Sequence, residues 1–164
     1  MITLLVCGSR DWTDYEQIFN FLKSMDLEYK PSQITILEGG CRRRNQKGAD
    51  YLAGLAAKYL GYTLITCPAD WQARGRSAGP IRNQQMLDKY KVDMVAAFHN
   101  DYENSKGTKD MCERAKKANI YTVLISKDSM KTLHSKTFTV GEAFTKEALD
   151  KWGISEEERL KPVW

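Results

Sequence analysis

Short apolar runs rich in β-branched residues recur at 2–7, 34–37, 62–66, 92–98 and 120–125, with helix-patterned segments between most of them. Near-continuous hydrophobicity of this kind suits parallel strands buried on both faces, because an alternating pattern is needed only where one face meets water. A parallel strand cannot follow its neighbour through a tight hairpin, so each connection must cross over, and right-handed crossovers give a doubly wound sheet. The expected architecture is α/β: a Rossmann-like parallel sheet of about five strands, most simply in the order 3-2-1-4-5, with a less regular C-terminal extension. The division expected is a ligand-binding domain over 1–126 and an extension over 127–164 packed on it.

The connecting segments carry helix punctuation. Asp14 is placed to cap a helix bearing Ile18, Leu22 and Met25 on its inner face. Leu52, Ala56, Tyr59 and Leu60 mark a second, ended by Gly61 in the position that favours a left-handed residue. Pro80 suits the first residue of a third, which places Arg82 and Asn83 in its first turn, and Thr108 is placed to cap a fourth carrying Met111, Ala115 and Ala118 inward. Beyond Ser126 the pattern loosens, to a short strand at 137–140, a helix at 142–152 and a charged terminal segment.

Composition narrows the function. With 164 residues, 42% hydrophobic and 28% charged, the chain has the make-up of one soluble globular domain. No apolar stretch approaches the ~18 residues that would span a bilayer, and the opening run is too short and lacks the positive flank of a secretory signal. No membrane partner and a cytoplasmic location are therefore expected. Cys7, Cys41, Cys67 and Cys112 are scattered without a CxxC pair, which argues against disulfides and zinc. His99 and His134 have no spacing that suggests a metal or a triad, and both read as structural or exposed. No cofactor is implied. The net charge of +4 is modest, and its densest run, Arg42-Arg43-Arg44, falls in one loop, which suits local attraction of phosphate better than broad nucleic-acid binding.

In an open parallel sheet, ligands sit beyond the carboxyl ends of the strands, where helix N-termini aim unpaired N–H groups at one crevice. The unusual residues concentrate at that edge. Gly8 and Ser9 offer a tight turn and backbone donors, Arg10 a guanidinium fork suited to phosphate, and Asp11 and Trp12 follow. Glu38 precedes Gly39 and Gly40, while Gly48 and Asp50 open the next helix; glycines there permit close approach of a phosphate or sugar. Asp70 and Trp71 supply a carboxylate for ribose hydroxyls and an aromatic face for a base. Gly79, Arg82 and Asn83 mark one helix start, and Lys106, Gly107 and Thr108 another. Against each stands a plainer alternative: a turn, a loop glycine, a solvated arginine, a threonine cap, a tryptophan lid over the core.

Taken in order, Gly8-Ser9-Arg10-Asp11-Trp12, Glu38-Gly39-Gly40 with Gly48-Ala49-Asp50, Ala69-Asp70-Trp71, Ala78-Gly79-Pro80 with Arg82-Asn83 and Met86, and Gly107-Thr108 with Asp110-Met111 resemble the YspA-like branch of the SLOG superfamily. That Rossmann-like group includes the LOG phosphoribohydrolases and the nucleic-acid-binding domain of DprA. The resemblance implies a nucleotide or nucleotide-derived ligand, held by a sensor, a sequestering protein or an N-glycosidase. Separately, a homo-oligomer, dimer or higher, is expected. In LOG enzymes an arginine and the glutamate ending Gly-Thr-x-x-Glu help break the bond between base and ribose 5′-phosphate. Arg82 matches the first, but Met111 stands at the second position and cannot accept a proton. Asp110, Glu113 or Glu38 would then have to supply the catalytic carboxylate. A second departure is the long basic stretch 41–47, suited to clamp a ligand with more than one phosphate. The reading placed first is a binder of a nucleotide derivative such as an ADP-ribose-like or cyclic nucleotide signal, with a phage counter-defence role suggested by family context. The alternatives are an N-glycosidase acting on a nucleoside 5′-monophosphate, and a protein or nucleic-acid interaction module.

Overall fold

The computed structural model describes residues 1–41 and 46–133. Its centre is β1 (Ile2–Gly8), flanked in parallel by β2 (Ile34–Glu38) and β4 (Met94–Phe98); β3 (Thr63–Thr66) lies outside β2 and β5 (Tyr121–Ile125) outside β4. The expected order 3-2-1-4-5 is therefore the observed one. A sixth strand, β6 (Met130–Thr132), runs antiparallel along β5 and makes the sheet mixed. The turn between them, closed by Ser126 N–H donating to the Ser129 carbonyl at 2.8 Å, was not expected, because a three-residue strand is too short to show a period. The strand at 137–140 and the helix at 142–152 lie outside the described residues, as does His134.

Alternation along β1 separates two apolar layers. Ile2, Leu4 and Val6 join Ile18, Phe21 and Leu22 of α1 (Tyr15–Lys23) and Leu52, Ala53 and Ala56 of α2 (Ala49–Leu60) on one face. Leu5 joins Met86 of α4 (Ala78–Lys89) and Met111 and Ala115 of α5 (Gly107–Lys117) on the other. Both faces of the central strands are thus buried, which is why their sequence is almost uniformly apolar. Fully burying one leucine or isoleucine contributes about 1.5–3 kcal/mol, so these layers dominate the driving force for folding.

Local signals behave variously. The Asp14 carboxylate accepts from the Gln17 N–H at 2.9 Å and caps α1, and Gly61 ends α2 with φ of 74°. Pro80 is the third residue of α4 rather than the first, so Arg82 and Asn83 lie in its second turn. Thr108 does not cap α5, which begins one residue earlier and has no side-chain cap. Between β3 and α4 the chain adds α3 (Trp71–Arg74) and a 3-10 turn (Gly75–Ser77), a helical approach too short to leave a periodic pattern.

Candidate functional site

The sheet order reverses direction at β1: successive strands run outward from β1 to β3, and the chain then returns to place β4 on its other side. Such a reversal parts the loops beyond the carboxyl ends, and a crevice forms there. A cavity of about 460 Å³ occupies this place. Gly8, Ser9 and Arg10 after β1, Gly39 after β2, Asp50 at the start of α2, Trp71 in α3, Gly79, Arg82 and Asn83 in α4, and Lys106, Gly107 and Thr108 at the start of α5 all line it.

Close packing at its floor needs glycine. A Cβ at position 8 would come within 2.8 Å of the Ala49 Cβ, and one at position 39 would overlap the Arg82 guanidinium. Arg82 reaches back from α4 to donate to the carbonyls of Gly39 and, at 3.1 Å, Cys67, and its Nε donates to Asn83 Oδ1 at 3.2 Å. The guanidinium thereby ties the ends of β2 and β3 to α4. Asn83, which is buried, passes the link on, its amide donating to Asp110 Oδ2 at 2.9 Å and to the Gly107 carbonyl at 3.3 Å.

The wall is electropositive. Arg10, Arg76 and Lys106 line the cavity and have no ion-pair partner among the described residues. Arg10 instead lies over the Trp71 ring, its guanidinium carbon 5.4 Å from the centroid, and Trp71 is 46% exposed. Neither α4 nor α5 has a side-chain cap; α4 continues from the 3-10 turn, whose Gly75 carbonyl accepts from the Ala78 N–H, while the start of α5 borders the cavity through Ser105–Thr108 with no side chain on its first N–H groups. An anion is the natural complement.

Several expected site residues lie elsewhere, and each departure has a local reason. Trp12 is 4% exposed; it packs edge-on against Phe98 and its indole N–H donates to the Asp14 carbonyl at 3.0 Å, so its face belongs to the core. Asp11 pairs with Lys47 at 3.0 Å outside the cavity. The Asp70 carboxylate caps α3, accepting from the Ala73 N–H at 3.0 Å. Gly40 turns the chain after β2 and Gly48 starts α2, the N–H of Gly48 donating to the Trp12 carbonyl at 2.9 Å; neither faces the cavity.

The carboxylates considered for catalysis also fall outside the lining. Glu38 is buried beneath, accepting from the Gly40 N–H at 2.5 Å and from the Thr66 hydroxyl. Asp110 is held by Asn83 and by Arg114 at 2.9 Å, and Glu113 is exposed on the outer side of α5. Met111, at the position where LOG enzymes carry glutamate, is 1% exposed within the apolar layer. Among the described residues the one carboxylate lining the cavity is Asp50. Its carboxyl is pushed up to about 6 by burial and then by the negative charge of Glu38, against the opposing influence of Arg82.

Arg76 and His99 are among the lining residues that were not anticipated as site residues. Arg76 follows Gly75 in the short helical approach to α4, and the run Arg74-Gly75-Arg76 was the available signal. His99 directly follows β4 at the same carboxyl edge as the other motifs. Its Nδ1 accepts from the Asp101 N–H at 3.0 Å, and burial lowers its pKa, which favours a neutral ring with its proton on Nε2. All four cysteines are free; the Cys7 thiol is raised well above its usual value by a hydrogen bond with the Cys112 thiol and by burial. No cluster of metal-binding side chains occurs among the described residues. No described helix is long and apolar enough to cross a membrane. The basic run at 42–45 lies outside the described residues.

Comparison with known proteins agrees with this architecture. The chain is 28% identical over 120 residues to the Gene 61 protein of Mycobacterium phage D29, across 73% of this chain and 93% of that protein. Its fold matches the structure of the Moco Carrier Protein from Chlamydomonas reinhardtii with a TM-score of 0.50 and 17% identity, covering 77% of this chain and 78% of that one. Residues 2–73, which include the Gly8–Trp12, Glu38–Gly40, Gly48–Asp50 and Ala69–Trp71 motifs, match the model of the YspA, cpYpsA-related SLOG family, which supports the resemblance to the YspA-like branch of the SLOG superfamily.

Proposed function

We propose that the chain binds a phosphate-bearing, nucleotide-derived small molecule in the cavity at the carboxyl edge of the sheet, and holds it rather than cleaving it. The observation that carries this reading is the gathering of Arg10, Arg76 and Lys106, none of them ion-paired among the described residues, around a single cavity bordered by the N-terminus of α5, which has no side-chain cap. Charge-assisted hydrogen bonds contribute about 1.5–3 kcal/mol each, and a micromolar complex needs about 8 kcal/mol net. Two such contacts, one helix terminus and a base stacked on Trp71 approach that figure. Arg82 is a positioning residue in this reading, since its Nη1 is engaged with the Gly39 and Cys67 carbonyls and its Nε with Asn83. The neighbour in fold is a Moco Carrier Protein.

Binding is favoured over cleavage because the carboxylates expected to serve N-glycoside hydrolysis, Glu38, Asp110 and Glu113, do not line the cavity. The sequestering or sensing role, the assembly into a homo-oligomer and the packing of the 127–164 extension on the same domain belong to this proposal.

Native mass spectrometry of the purified full chain, followed by calorimetry with a panel of nucleoside mono- and diphosphates, tests it. A bound mass removed by Arg10→Ala together with Lys106→Ala, and no release of base from any monophosphate, is the expected result. Absence of binding across the panel, or steady base release, would refute it.

A further inference from the structure

The proposed anion site contains one group that an anion should avoid. Asp50 is 5% exposed, lies at the start of α2 and faces the same cavity as Arg10, Arg76 and Lys106. Glu38 and Asp110 each take two donors of the fold, a backbone N–H and a hydroxyl for the first and an amide and a guanidinium for the second, whereas Asp50 takes one backbone N–H. Its Oδ2 accepts from the Cys41 N–H at 3.1 Å, and the Cys41 thiol is its other donor. A thiol is a weak donor, and an ionised carboxylate offers about four acceptor positions, so much of its capacity stays open toward the cavity. Arg82 approaches from α4, but its Nη1 goes to the Gly39 and Cys67 carbonyls, its Nε to Asn83, and its Nη2 to the Cys41 sulfur at 3.7 Å rather than to Asp50. Glu38 from β2 adds a like charge, and the Cys7 thiol from β1 supplies none of opposite sign.

A buried carboxylate with unfilled acceptor positions disfavours any ligand that brings only negative charge and rewards one that brings hydroxyl or amine donors. A sugar ring bonded to a phosphate has both parts. We propose that Asp50 is a specificity residue of this cavity, selecting ligands whose phosphate is attached to a polyhydroxyl sugar over phosphates that lack hydrogen-bond donors. The inference rests on the binding function proposed above. Ligand hydroxyls donate to Asp50 while the phosphate lies against Arg10, Arg76 and Lys106, and an otherwise unfavourable charge becomes a discriminating contact.

The test is the ratio of affinities for ribose 5-phosphate and methyl phosphate, measured by calorimetry at pH 7.5 on the full chain, its Asp50→Ala variant and its Asp50→Asn variant. Denaturation curves on each variant establish that it is folded. The wild-type chain should prefer ribose 5-phosphate by at least tenfold. In both variants the preference should fall at least fivefold, while methyl phosphate affinity stays within threefold of wild type or rises, because a repelling charge has gone. A merely structural role would weaken both probes alike and leave the ratio in place, which overturns the inference. Methyl phosphate binding without any wild-type preference for the sugar overturns it as well and leaves the anion site standing. Failure of both probes to bind the wild-type chain removes the proposed site itself.

Discussion

The Arg10 guanidinium carbon lies 5.4 Å from the centroid of the Trp71 ring, and the two residues meet at the rim of one cavity from the loop after β1 and from α3. The far edge of the ring rests on Gly79, where a Cβ would sit 3.3 Å from Trp71 Cη2. A cation held against an aromatic face at an exposed site is worth about 0.5–1 kcal/mol, less than a charged hydrogen bond to phosphate. Arg10 can therefore leave the ring for an arriving anion and free that face for a base. Arg10→Ala should weaken a nucleotide about tenfold or more and inorganic phosphate equally. Trp71→Ala should weaken the nucleotide by about 1–3 kcal/mol and barely change phosphate. Calorimetry with both ligands separates the roles, and equal losses in Trp71→Ala would show that no base stacks there.

Arg82 should matter for stability before it matters for binding. Its removal deprives the Gly39 and Cys67 carbonyls of a charged donor and leaves Asn83 with one partner fewer. Arg82→Ala is expected to lower the unfolding free energy by about 2–3 kcal/mol in urea titrations. Gly39→Ala should produce a comparable loss, since the new methyl and the guanidinium claim the same space. Wild-type stability in either variant would mean that the loop after β2 adjusts freely.

Asp50 gives stability a pH dependence of definite sign. Its pKa is raised from 3.8 to about 6, so the folded state holds the proton more tightly than the unfolded state does. The stability this proton confers is fully present below about pH 4 and is lost as pH rises to about 6, after which the loss is constant. That rise corresponds to about 3 kcal/mol as an upper figure. Asp50→Asn cannot ionise and should be the more stable protein at pH 7.5 by up to that amount, with the gap closing near pH 4. Denaturant midpoints at the two pH values measure it; a variant less stable at pH 7.5 would contradict the burial argument.

Restoring the LOG-type glutamate should fail. Met111 is 1% exposed among Leu5, Leu37, Met86, Val95 and Ala115, and a carboxylate there would be buried without a partner. Met111→Glu is expected to destabilise the chain by several kcal/mol and to release no base from nucleoside monophosphates. A stable variant that turns over would show that α5 can rotate the residue into the cavity.

The strands and their order were legible because burial on both faces leaves an unmistakable apolar run, as in Leu4-Leu5-Val6 and Met94 to Phe98. Residues that follow a strand directly, such as Ser9, Arg10 and Gly39, were placed correctly at the carboxyl edge for the same reason. Which side a loop residue faces was not legible. Trp12 and Trp71 both follow an aspartate, yet one seals the core against Phe98 and the other borders the cavity, because tertiary packing decides. Arg82 reads as a free cation in sequence; only the fold shows carbonyls from two strands converging on it. The boundary errors at Pro80 and Thr108 are of one or two residues, the usual uncertainty where a helix begins without a side-chain cap.

The sheet ends, within the described residues, on two very short strands: four residues in β3 and three in β6. An outer strand is a template on which another chain can pair its backbone, and the risk grows with its length and flatness. Here each margin offers only a few amide and carbonyl groups, and the antiparallel β6 takes the side of β5 that a foreign strand would otherwise join. Within the described residues the sheet is thereby poorly suited to edge-to-edge polymerisation.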